Sequence, residues 1–189
     1  MKISFSNILN NTKELFINPK AFWVGKKKEP DGFEHVFLDF LVPIILGVAI
    51  AVFLGDLFRR SDFIVEIPLL NSVQIIVLFS LQYIISVFLT NELIKTFGGK
   101  KNINVSRNLV AYSMTPLLLI FILTSLIPFL DILNILGFYG FYIFWIGVDE
   151  LLVFPENKKS SYTLIAIVAN LFVFSFLSIL LSKLLTTYF

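Results

Sequence analysis

Five apolar stretches, each long enough to cross a lipid bilayer, constrain this chain more than any other feature. A helix crossing about 30 Å of hydrocarbon at about 1.5 Å per residue needs about 20 mostly apolar residues. Such windows run from about Val36 to Leu57, Leu69 to Ile94, Asn108 to Ile127, Ile132 to Leu152 and Tyr162 to Leu181. The third and fourth almost merge, separated only by the stretch PFLD, Pro128 to Asp131. The apolar run from Val110 to Val148 is about twice a spanning length, so it predicts a tight helical hairpin. Proline would end its first arm, and Asp131 would cap the second. The predicted fold is therefore all-α: a bundle of five transmembrane helices over residues 36–184, preceded by a distinct segment, residues 1–35.

Composition supports a membrane class. Hydrophobic residues make up 57% of the chain and charged residues 15%, against about 45–50% and about 25% in soluble domains. With no cysteine among 189 residues, packing rather than disulfides or thiolate-bound metal must hold the fold. The net charge of +2 is too small for a nucleic-acid partner, which would require a clustered basic surface. The first 20 residues contain no unbroken apolar core of the length a secretory signal needs, so insertion is expected to use the internal segments.

The distribution of basic residues sets an expected orientation, because cytoplasmic loops retain Lys and Arg. Twelve of them fall before the first span and in the second and fourth connections, against three on the other side, Arg59, Arg60 and Lys183. This asymmetry predicts a cytoplasmic N-terminus and an external C-terminus. Residues 1–35 mix Ile8, Leu9, Leu15, Phe16, Ile17, Phe22 and Trp23 with lysines. They read as an amphipathic interfacial segment, anchored at the headgroups by Trp23 and drawn to anionic lipid by Lys26, Lys27 and Lys28. A solvated arm is the other reading, since the apolar pattern breaks at Asn10, Asn11 and Thr12.

Catalytic apparatus is not evident. The chain has one histidine, His35, with no second metal ligand at helical spacing, so it reads as an interfacial residue. No serine has the G-x-S-x-G context, and the glycine pair Gly98-Gly99 lies in a Lys-rich turn rather than a phosphate loop. A charge at the bilayer centre costs at least about 2.5–3.5 kcal/mol, and Asp39, Asp56, Glu92, Asp131, Asp149 and Glu150 all fall near predicted ends. That placement argues against an ion-coupled transporter, which would keep such a group near the midplane. Neutral polar groups do occur within the spans: Asn71, Gln74, Gln82, Ser113, Thr115 and Asn170. They read as interhelical packing contacts, or as a polar pathway through the bundle.

The stretch GFYGFYIFWIGVDELLVFP, from Gly137, is the most distinctive of the spans. On one continuous helix, Gly137, Gly140 and Gly147 would lie within about 80° of each other, with Tyr142, Trp145 and Asp149 on the other side. A glycine face lets a neighbouring helix approach closely. The other face would be an interface anchor, or the wall of a cytoplasm-facing crevice lined by Gln82, Tyr112, Tyr142 and Asp149.

Several of these residues carry a resemblance to the Yip domain family (Ypt-interacting-protein type). AYSMTP, with Tyr112 and Pro116, resembles the family's G-Y-x-x-x-P element, with Ala111 in place of the glycine. The opening of the fourth span, with Gly137, Tyr139, Gly140 and later Gly147, resembles its Y-G-x-Y pattern. DFLVP keeps Asp39 and Pro43 of a D-L-Y-G-P element, and FINPKAFW is similar to the segment preceding the first span in bacterial relatives. The resemblance implies five spans, a cytoplasmic N-terminus and, for the bacterial branch, residence in the cytoplasmic (inner) membrane. No well-defined activity comes with that branch, and the missing catalytic apparatus predicts neither a cofactor nor catalysis. The functional expectation is thus a scaffold or membrane-organising component acting through helix and cytoplasmic-loop contacts, with a protein partner or a second copy. The alternative is a small transporter, channel or lipid-moving protein using the crevice.

Overall fold

The computed structural model describes residues 5–28, 30–59, 65–155 and 158–188; Lys2 and Arg60 of the charge count lie outside them. Among the described residues every regular element is helical. Two short helices, α1 (Phe5–Ile17) and α2 (Pro19–Lys28), form an N-terminal arm. A π-helical stretch, Glu34–Leu41, then runs directly into α3 (Val42–Arg59). Pro43 accounts for the wide turns before it. Proline cannot donate a backbone hydrogen bond and its ring crowds the carbonyl four residues earlier, a conflict that a π-turn relieves. The Val42 N–H accordingly bonds the Phe37 carbonyl, five residues back.

Helix α4 (Glu66–Thr96) ends at Gly98, whose φ of +83° is the left-handed conformation that glycine supplies at helix C-termini. Helix α5 (Ile103–Leu126) begins under Asn102, whose side chain accepts the N–H groups of Asn104 at 3.1 Å and Val105 at 3.4 Å. Pro116 lies buried inside α5. Pro128 follows the end of that helix, as the apolar pattern predicts.

The fourth span departs from the expected single helix over 132–152. Pro128–Phe138 is a 3₁₀ segment, and only Tyr139–Leu151, α6, is α-helical. Asp131 therefore caps no α-helix: it sits in the first turn of the 3₁₀ segment, and α6 starts after Phe138 without a side-chain cap. The tighter winding has a geometric use. At about 2.0 Å rise per residue it covers more depth than α-helix would, letting a short α6 complete the crossing. The last helix, α7, runs from Lys158 to Tyr188.

Among the described residues, five segments have the length and apolarity to cross a membrane: Glu34–Arg59, Glu66–Thr96, Ile103–Leu126, Phe129–Leu151 and Lys158–Leu184. Their burial is uneven. Half of the apolar window of the first, 50%, is buried in the protein, against 11% of the last. α7 thus rests on the bundle along one narrow stripe and presents Leu164, Val168, Phe172, Phe176 and Ile179 outward. The single core, with Phe40, Val48, Phe79, Tyr83, Leu109, Tyr112, Leu118 and Ile143, also includes Leu15, Phe22 and Trp23 of the arm. At the end of the bundle away from the arm, Asn71 donates to Asp56 at 2.7 Å and Arg59 donates to the Ser125 carbonyl.

Candidate functional site

The arm is attached to the bundle through a polar cluster set among aromatic rings. α2 carries Lys26 one helical turn after the adjacent Phe22 and Trp23, so all three share the side that faces the bundle. Trp23 is fully buried, and its indole N–H donates to the Ile143 carbonyl of α6 at 3.0 Å. Its expected role as a headgroup anchor is thereby corrected: the ring finds its polar partner inside the protein. Tyr112 of α5 forms the floor, with the rings of Phe40, Phe22 and Trp23 at centroid distances of 4.7, 4.8 and 5.8 Å.

Asp31 closes the cluster. Its carboxylate accepts the Tyr112 hydroxyl at 2.8 Å and pairs with Lys26, whose ammonium also lies 5.2 Å from the Tyr112 ring centroid. Asn108, one turn before Tyr112, binds the Asp31 backbone on both sides. It accepts that N–H at 3.3 Å and donates to that carbonyl at 2.9 Å. Lys26 is therefore engaged internally, while Lys27 and Lys28 are exposed. Sequence reasoning passed over Asp31 and Asn108. The lysine run before Asp31 is the local signal of an ion pair, but nothing local names Tyr112 as the hydroxyl donor.

α2 lies along α6, where Lys20 reaches Glu150 at 3.8 Å, and Phe16 of α1 stacks on Tyr139 at 5.6 Å. Tyr139 also donates to the Phe16 carbonyl at 3.3 Å.

Gly137, Gly140 and Gly147 all face α5 or the arm. A Cβ at Gly140 would collide with the Ser113 backbone carbonyl. One at Gly137 would come within 2.8 Å of Leu117, and one at Gly147 within 2.6 Å of Leu109 and 2.8 Å of Trp23. Their α5 partners, Leu109, Ser113 and Leu117, are spaced by four residues and so form one ridge of that helix. Gly137 belongs to the 3₁₀ segment, so this alignment comes from two kinds of helix rather than from one continuous face.

The four residues expected to line one crevice are not brought together. Gln82 is buried between α4 and α7, where its amide donates to Ser86 at 3.0 Å and to the Asn170 carbonyl at 3.1 Å. Tyr112 belongs to the arm cluster. Tyr142 is 54% exposed beside Tyr139, and Asp149 is exposed, held by Lys159 at 3.1 Å. Asp39 pairs with exposed His35 at 3.3 Å. Glu92 is bound by Lys101. Among the described residues no three His, Cys, Asp or Glu side chains are grouped to hold a metal.

A separate cavity of about 150 Å³ lies between α4, α5, α7 and the fourth span. Phe79, Phe144, Leu117 and Phe174 give it apolar walls, and Gln82, Ser113 and Asn170 contribute polar groups.

These features define an all-helical, multi-pass membrane protein with its N-terminal arm clamped to the bundle. The chain belongs to the Yip1 domain family, whose profile matches residues 13–177, from α1 into α7. No significant match was found among curated proteins or solved structures.

Proposed function

We propose that this Yip-type membrane protein acts without catalysis, as a membrane-organising component. The observation that carries the reading is that the arm packs along α6 and against the first half of α5, and is fixed there by Trp23 and Asp31. Packed along α6, it still exposes Leu9 (55%), Ile17 (72%) and Val24 (44%). Short helices with exposed apolar side chains settle at the headgroup boundary. Because the arm is tied to the bundle, it adds cross-section to one leaflet, and many copies bias curvature and lateral packing. The acids beside it support a structural role: Asp31, Glu92, Asp149 and Glu150 each face a lysine.

The charge asymmetry supports placing the N-terminal arm in the cytoplasm, and the likeness of FINPKAFW to bacterial relatives supports the cytoplasmic membrane of a bacterial cell. There Lys27 and Lys28 meet anionic headgroups, each such cation contributing about 1 kcal/mol at the surface.

Reconstitution into vesicles tests the reading. The expected result is a vesicle size distribution, measured by electron cryomicroscopy, that shifts with protein density while small-solute flux stays at background. Solute flux abolished by Asp149→Asn, with unchanged vesicle shape, would overturn it in favour of a transporter.

A further inference from the structure

The cavity between α4, α5 and α7 has properties that the arm and its clamp do not use. Three of its polar groups sit at mid-helix on three different elements: Gln82 in Glu66–Thr96, Ser113 in Ile103–Leu126 and Asn170 in Lys158–Tyr188. They therefore lie near the bilayer midplane, where an unpaired polar atom is costly. Yet Gln82 Oε1, Ser113 Oγ and Asn170 Oδ1 are buried and have no hydrogen-bond partner among the described residues. Gln82 is only 6% exposed.

The amide nitrogens, by contrast, are used. Gln82 donates to Ser86 and to the Asn170 carbonyl, and Asn170 donates to Thr90 at 3.2 Å and to the Ala166 carbonyl at 2.8 Å. Those bonds fix both amides with their oxygens left over.

The geometry points to a binding site for a neutral membrane amphiphile that carries a hydroxyl group. Amide oxygens only accept, so the ligand must supply a donor; the serine hydroxyl can donate to an oxygen of the ligand. A hydroxyl does both and carries no charge, which suits a site at midplane depth. Phe79, Phe144 and Phe174 receive the adjoining apolar part. A space of about 150 Å³, open at its rim, holds about one ring or a short piece of chain. Only the hydroxyl end of a lipid enters, and the rest of the chain stays in the bilayer. The rim permits this, since Phe138 (59% exposed) and Leu171 (36%) line the cavity and both lie in membrane-spanning segments. This site does not rest on the membrane-organising role of the arm.

The test uses the full chain in lipid nanodiscs with two photoreactive probes, a diazirine-bearing long-chain alcohol and the same chain without its hydroxyl. Crosslinks are mapped by mass spectrometry. The alcohol is expected to label the segments around Phe138 and Leu171 about five-fold more than the alkane, the factor one neutral hydrogen bond provides. Unlabelled alcohol should compete that labelling away. Ser113→Ala removes a hydroxyl without a partner among the described residues, so it leaves the fold intact while lowering the preference; Gln82→Leu lowers it further. Equal labelling by alcohol and alkane in the wild type, or alcohol crosslinks spread evenly over lipid-facing positions such as Val168 and Phe172, would show the cavity to be filled by water or by unselected lipid chains, and would overturn the assignment.

Discussion

The Tyr112 hydroxyl donates to the Asp31 carboxylate at 2.8 Å across 81 residues of chain. Through this bond and the two Asn108 bonds beside it, the turn after α2 is held against the first half of α5. Tyr112→Phe should remove one hydrogen bond and little packing, costing about 1 kcal/mol. Asp31→Ala also strands Lys26, a partly buried cation, and should cost about 2 kcal/mol or more. Thermal unfolding in detergent checks the order, with the larger drop in Asp31→Ala.

Trp23 is buried in a site made by α5 and α6, so its truncation should cost far more than loss of a surface anchor. Trp23→Ala is expected to lower stability by about 3–5 kcal/mol, and Trp23→Phe by less, since it keeps most of the ring contact while losing the bond to the Ile143 carbonyl. Denaturant unfolding in mild detergent measures both. Equal effects of the two substitutions would mean that the indole N–H dominates.

Two glycines respond oppositely to the same change. Gly140→Ala drives a methyl group into the Ser113 carbonyl and should cost about 1–3 kcal/mol, whereas Gly25 of α2 has nothing within 4 Å of an added Cβ. Gly25→Ala should be neutral or stabilising by up to about 1 kcal/mol, from helix propensity. Melting temperatures of the two variants give the comparison directly.

Orientation is measurable because the chain has no native cysteine. With the arm cytoplasmic, Lys158→Cys should react with a membrane-impermeant thiol reagent only from the cytoplasmic side, and Arg59→Cys only from the opposite side. The reverse pattern would invert the topology.

The spans were legible in the sequence because length and hydropathy are local properties, and the mid-helix polar residues Gln82, Ser113 and Asn170 stood out against them for the same reason. What stayed hidden is non-local or depends on winding. Trp23 looks like a surface anchor because its burial depends on Gly147 and Ile143, far along the chain, and because Asn10, Asn11 and Thr12 blur the amphipathic pattern of the arm. The 3₁₀ winding of Pro128–Phe138 leaves no trace in composition, since either helix type takes the same apolar residues. The crevice was drawn from residues of suitable type, but Tyr142 and Asp149 lie on an exposed side of α6 that never faces Gln82.

The measurement that bears most directly on the central claim compares wild-type and Asp31→Ala protein, reconstituted into vesicles at equal density, with vesicle diameters read by electron cryomicroscopy. A clamped arm predicts that the wild type shifts the diameter distribution and that Asp31→Ala, folded but with its arm held by Trp23 alone, shifts it less. Identical distributions for the two proteins, or none differing from protein-free vesicles, would contradict it.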